Sequence, residues 1–122
     1  MPFVPLLRSF RYAVAGLGYL LRTQRNFRIE LVIGALAVIS GAWLRIEGWE
    51  GLALVLTVAL VLILEAVNTA IECVVTLASP SPDPLAKAAK DVSAAAVLIA
   101  AAAALGIGGL VFWPRLVAIL GR

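Results

Sequence analysis

Three apolar stretches, at about residues 29–46, 51–78 and 92–113, are divided only by short polar segments. A bilayer core roughly 30 Å thick is crossed by about 20 apolar residues in a helix. The pattern therefore points to lipid as the solvent for most of the chain. The first stretch is short for that distance, so its helix begins in the preceding segment or uses its flanks. Composition agrees: 63% of the 122 residues are hydrophobic and 14% charged, against roughly 45–50% and about a quarter in soluble domains. The mean hydropathy of +1.06 belongs to neither a disordered chain nor an ordinary globule. We read residues 1–122 as a single integral-membrane domain.

Residues at about 5–25 form a different kind of helix. Leu6, Phe10, Val14, Leu17 and Leu21 recur every three or four positions, and Arg8, Arg11 and Arg22 lie between them, with Arg25 and Arg28 just beyond. This is the pattern of an amphipathic helix at the lipid–water boundary. Arginines interrupt the segment too often for a cleaved signal peptide. Residues 45–50 make a tight polar turn, and the three prolines of Ser79–Pro84 stop the second long helix. A new helix starts near Pro84 and leads into the third span, with Pro114 at its end. The fold class is thus an all-α membrane protein, with three transmembrane helices plus an N-terminal amphipathic surface helix. The alanine- and glycine-rich run 94–109 reads as a close-packing helix face.

Arginines and lysines set the orientation. Five arginines precede residue 29, and Lys87 and Lys90 follow the second span, while the first turn has Arg45 alone. The N-terminus and the 79–91 segment are therefore expected on the cytoplasmic side of a bacterial inner or plasma membrane. Trp43, Trp49 and Trp113 then fall together at the outer interface; Arg115 and Arg122 there run against the rule.

Much chemistry is excluded. Without histidine there is no Ser-His-Asp triad and no histidine metal site. Cys73 is alone, so no intrachain disulfide or thiolate zinc cluster can form. Neither a P-loop nor a dinucleotide-binding glycine string is present. The net charge of +3 comes mostly from arginines flanking apolar spans, a membrane signature rather than a nucleic-acid one, so no nucleic-acid partner is expected.

The second span contains Glu65, Asn68, Thr69, Glu72 and Thr76, which share one helical stripe. The two carboxylates lie about 10 Å apart along the axis at about 1.5 Å per residue. Intramembrane charge is costly and marks function by default. Residues 46–86 hold no lysine or arginine, so compensation must come from protons, a divalent cation or the lysines beyond. The bland alternative is a pair of protonated glutamates hydrogen-bonded between helices, with Asn68 as glue. Lys87, Lys90 and Asp91 lie at the same membrane face. Alone they read as lysines anchoring a helix end; beside the carboxylates they suit a Mg²⁺–nucleotide complex.

These strings closely resemble one known family. Glu65-Ala-Val-Asn-Thr-Ala-Ile-Glu72, Pro84-Leu-Ala-Lys-Ala-Ala-Lys-Asp-Val92, Ala94–Leu98, Phe10–Ala13 and Arg25–Ile29 resemble the prokaryotic diacylglycerol kinases, which include undecaprenol kinases. The resemblance covers about residues 8–116. It implies a small lipid kinase that uses ATP and Mg²⁺ to phosphorylate a lipid hydroxyl, built as a homotrimer with active sites shared between subunits. Carried over by position, Glu65 is the general base and Asn68 supports its geometry. Glu72 binds the metal on the ATP phosphates, Lys90 and Asp91 hold the nucleotide, and Tyr12 lies near it. Three positions depart from the family pattern. Gln24 stands where relatives often carry a second metal-binding glutamate, with Glu30 nearby as a substitute. Thr76 replaces an aspartate, and Asp83 falls in a segment where many relatives have a histidine.

Two other readings stay open on sequence. One is a small oligomeric transporter or channel with Glu65 and Glu72 as proton or cation ligands. The other is a non-catalytic family member that binds lipid or a partner.

Overall fold

The computed structural model describes residues 3–121, nearly all of them helical. Four helices follow in order: α1 (Phe3–Thr23), α2 (Arg25–Trp43), α3 (Gly48–Ala78) and α4 (Pro84–Leu120). The last three are long and apolar enough to cross a membrane. At about 1.5 Å per residue, α3 (31 residues) is about 46 Å long. It exceeds a bilayer core, so its ends reach into the interfaces.

A single residue separates α1 from α2. Gln24 is extended (φ −107°, ψ 103°), which turns the chain without a loop. Arg28 stabilises the corner: its Nη1 donates to the carbonyls of Leu21 (2.8 Å) and Arg22 (3.2 Å) at the end of α1. Those carbonyls lack helical partners, and a cation there also suits the helix dipole. In α1 only Leu20 is buried, as expected of a helix lying on a surface.

Between α2 and α3, Ile46 N–H bonds the Gly41 carbonyl (2.9 Å) and Arg45 N–H the Ala42 carbonyl (3.1 Å). This is a Schellman ending, with Arg45 at φ 57° where glycine is usual. The helices then cross closely. A Cβ on Gly34 would lie 2.5 Å from Val58 Cγ1, and one on Gly41 2.9 Å from Leu54 Cδ2. Small residues permit that approach.

The most extensive packing joins α3 to α4. Asp83 caps α4, its Oδ1 accepting from Leu85 N–H (2.8 Å) and Ala86 N–H (3.2 Å), with Pro84 in the first turn. The sequence places the end of the third span at Pro114, but α4 continues to Leu120. Proline removes one backbone bond, the one to the Leu110 carbonyl, and the next residue, Arg115, ties this stretch to α3. Its Nη1 donates to the Val111 carbonyl and to Glu50 Oε2 on α3, both at 2.8 Å. Trp43, Trp49 and Trp113 are all exposed, at the end of the bundle that carries this ion pair.

Candidate functional site

The polar stripe of α3 is buried where it passes the middle of the bundle. Glu65 is 4% exposed, Asn68 9% and Thr69 4%. Helical spacing puts them on one face; α4 meets that face at Asn68, and Glu65 lies within electrostatic reach of Glu30 on α2. Thr69 Oγ1 is satisfied internally by the Glu65 carbonyl at 2.9 Å. Glu72, one turn further, is half-buried, and Thr76 is exposed. The stripe thus runs from the apolar interior to open water.

Across from it, α4 supplies Ser93, also buried, whose Oγ donates to Asn68 Oδ1 at 2.7 Å and lies 2.9 Å from the Lys90 carbonyl. Lys90 Nζ donates to Thr76 Oγ1 at 3.0 Å. The predicted residues Asn68 and Lys90 are therefore joined through Ser93. Asp91 pairs instead with Lys87 at 2.6 Å, one turn earlier on the same exposed helix face. Exposed pairs of this kind are weak and exchange readily for another partner.

Two open concavities meet at Thr76 and Pro80. One, of about 600 Å³, is lined by Gln24, Glu72 and Cys73 among others. The other, of about 840 Å³, is bounded by the proline-rich segment with Lys87, Lys90 and Asp91. Gln24 and Glu72 are thus brought together, and Lys90 and Asp91 lie beside them. Tyr12, 72% exposed on α1, lines neither. Tyr19 is the α1 residue that reaches the site: its hydroxyl is 3.7 Å from Cys73 Sγ. That contact holds the phenol above its ordinary value of 10.0, because the hydrogen bond favours the neutral form and the nearby thiol opposes charge.

Glu30 points elsewhere. It lines an apolar groove of about 420 Å³ between α2, α3 and α4, with Thr57, Val61 and Phe112. Its Oε2 is buried without a hydrogen-bond partner. The carboxyl of Glu65 interacts electrostatically with that of Glu30 on one side and of Glu72 on the other. Among the described residues, no three acidic or cysteine side chains gather as a metal cluster. Spacing on α3 pointed to Glu65, Asn68 and Glu72. Nothing in the alanine-rich stretch marked Ser93, since a lone serine there has no periodic partner.

The comparisons with known proteins agree with one another. The model of the prokaryotic diacylglycerol kinase family matches residues 11–112. A diacylglycerol kinase of Synechocystis sp. is 47% identical over 116 residues, 94% of this chain and 66% of that relative. The chain thus spans slightly less than two thirds of that protein's length. An undecaprenol kinase of Bacillus subtilis is 37% identical over 109 residues, 89% of each chain. A diacylglycerol kinase of Escherichia coli is 33% identical over 111 residues, 91% of each.

Proposed function

The chain belongs to the prokaryotic diacylglycerol kinase family, and from that premise we propose that it transfers the γ-phosphoryl group of ATP to the hydroxyl of a membrane lipid alcohol. The observation that carries this reading is the polar path from half-buried Lys90 through Ser93 and Asn68 toward buried Glu65. The path has water at one end. At the other lies the apolar groove lined by Glu30.

Phosphoryl transfer depends on positioning and charge neutralisation more than on covalent chemistry. Glu65 takes the proton of the lipid hydroxyl as its oxygen bonds to the γ-phosphorus, and ADP leaves with the electrons of the broken P–O bond. Asn68 orients that hydroxyl with its amide. Lys90 and Asp91 hold the nucleotide, and Lys90 meets phosphate charge with its ammonium. Tyr12 belongs to the nucleotide side in a homotrimer whose sites are shared between copies.

Glu72 and Gln24 offer one charged and one neutral oxygen to the same concavity. Glu72 has no ion-pair partner among the described residues. Mg²⁺ takes oxygen ligands and keeps several waters and phosphate oxygens, so this pair suits it as a partial ligand set. When bound, the cation supplies charge neutralisation on the phosphates.

The arginines of α1 and the lysines of α4 support a cytoplasmic orientation for this site in a bacterial membrane. Arg115, at the opposite end, runs against that count and is paired with Glu50.

The deciding assay combines protein, ATP and Mg²⁺ in mixed micelles with diacylglycerol or undecaprenol. The expected products are ADP and the lipid monophosphate, identified by mass. ATP binding without phosphorylated lipid would favour a non-catalytic role, and ion flux independent of nucleotide would favour a channel.

A further inference from the structure

Ser93 is 7% exposed, where the helix passes from Lys90 and Asp91 into a run of alanine and aliphatic residues. Its single hydroxyl proton faces two acceptors, Asn68 Oδ1 at 2.7 Å and the Lys90 carbonyl at 2.9 Å, a three-centre arrangement. Two consequences follow from that geometry. The Asn68 oxygen is turned toward α4, so its NH₂ group faces away and donates to no protein acceptor among the described residues. The turn carrying Lys90 is also tied to the same hydroxyl, while the lysine side chain reaches Thr76 on α3.

We infer that Ser93 is a positioning residue, which fixes the Asn68 amide beside Glu65 and holds the Lys90 turn at a set distance from it. The inference rests on the lipid-kinase reading for its catalytic half. Its geometric half, the hydrogen bond itself, does not. An asparagine amide is nearly symmetric in shape, and a half-turn exchanges its donor and acceptor. With Ser93 in place, the acceptor end is engaged and the donor end is left for a bound oxygen. Without it, both orientations become accessible, and a fraction of molecules would present the wrong polarity to the lipid hydroxyl. Ser93 itself touches neither substrate.

The test uses the full chain in detergent micelles, with Ser93→Ala, Ser93→Thr, Asn68→Ala and the Ser93→Ala/Asn68→Ala double variant. We expect Ser93→Ala to lower kcat about tenfold, with KM for ATP and for the lipid alcohol each within about twofold. Ser93→Thr keeps the hydroxyl and should stay within about threefold of the parent. On the Asn68→Ala background, Ser93→Ala should cost nothing more, because the residue it positions is gone. An unchanged kcat in Ser93→Ala, or losses that multiply in the double variant, would overturn the positioning role.

A second readout is independent of turnover. The Asn68 side-chain amide pair in a ¹⁵N–¹H spectrum should shift in Ser93→Ala and hold in Ser93→Thr. Unshifted resonances refute the hydrogen bond whatever the activity. A parent chain that phosphorylates no lipid alcohol while the resonances do shift refutes the kinase reading, and with it the catalytic half alone.

Discussion

Lys90 Nζ and Thr76 Oγ1 are 3.0 Å apart, across the corner that joins α3 to α4. The acceptor is a neutral hydroxyl, so the tether aims the ammonium without cancelling its charge. Lys90 makes no ion pair among the described residues. Thr76→Val should release the side chain and raise KM for ATP about threefold, the effect of one ordinary hydrogen bond, with kcat within about twofold. An unchanged KM for ATP would show that the tether does not aim the lysine.

Glu65 is the most buried carboxylate of the stripe, and no cation pairs with it among the described residues. Glu65→Gln keeps the shape and removes the proton acceptor. Lipid-dependent ADP release should fall about 10³-fold, within the range for a lost general base. Size-exclusion elution in detergent should match the parent. Retained turnover would remove Glu65 from the proton-transfer step.

The crossing of α2 over α3 depends on Gly34. Val58 is β-branched and cannot swing its Cγ1 aside easily, so a methyl group 2.5 Å from it forces the helices apart. Gly34→Ala should destabilise the protein by about 1–3 kcal/mol, read from SDS titration of helicity in mixed micelles. Gly16→Ala, where a Cβ meets open space on α1, serves as the control and should not destabilise. Equal behaviour of the two variants would rule out the close crossing.

The chain has two tyrosines, so Tyr12→Phe leaves the Tyr19 phenol as the sole titrating chromophore near 295 nm. Its folded-state value lies above 10.0 because of Cys73. A raised value means that the contact stabilises fully below the unfolded value and is lost as pH rises through the folded one. The absorbance midpoint should therefore exceed 10.0 and fall back toward it in Cys73→Ala. A midpoint insensitive to Cys73 would show that α1 is not held there.

The three spans and the surface helix were legible because lipid leaves the backbone few options, and apolar length alone reports them. Glu65, Asn68 and Glu72 were legible because their spacing repeats with the helix. Pro114 misled because its usual effect is to end a helix. Here a distant ion pair between Glu50 and Arg115 ties the continued helix to α3, and no local pattern encodes a contact across 65 residues. Ser93 was hidden for the same reason: its meaning comes from Asn68, 25 residues earlier. Glu30 could be noticed as an acid near Gln24, but its direction into the groove is a matter of tertiary packing.

The corner at residues 79–84 orders itself in advance. Pro80, Pro82 and Pro84 leave that stretch few conformations even in the unfolded chain. Asp83 then starts α4 with its own side chain. Bringing the two longest helices alongside each other consequently gives up little backbone freedom, and Thr76 finds Lys90 by little more than settling two rotamers. A more pliant bend of equal length would form the same contacts from a far larger starting ensemble and hold them less often.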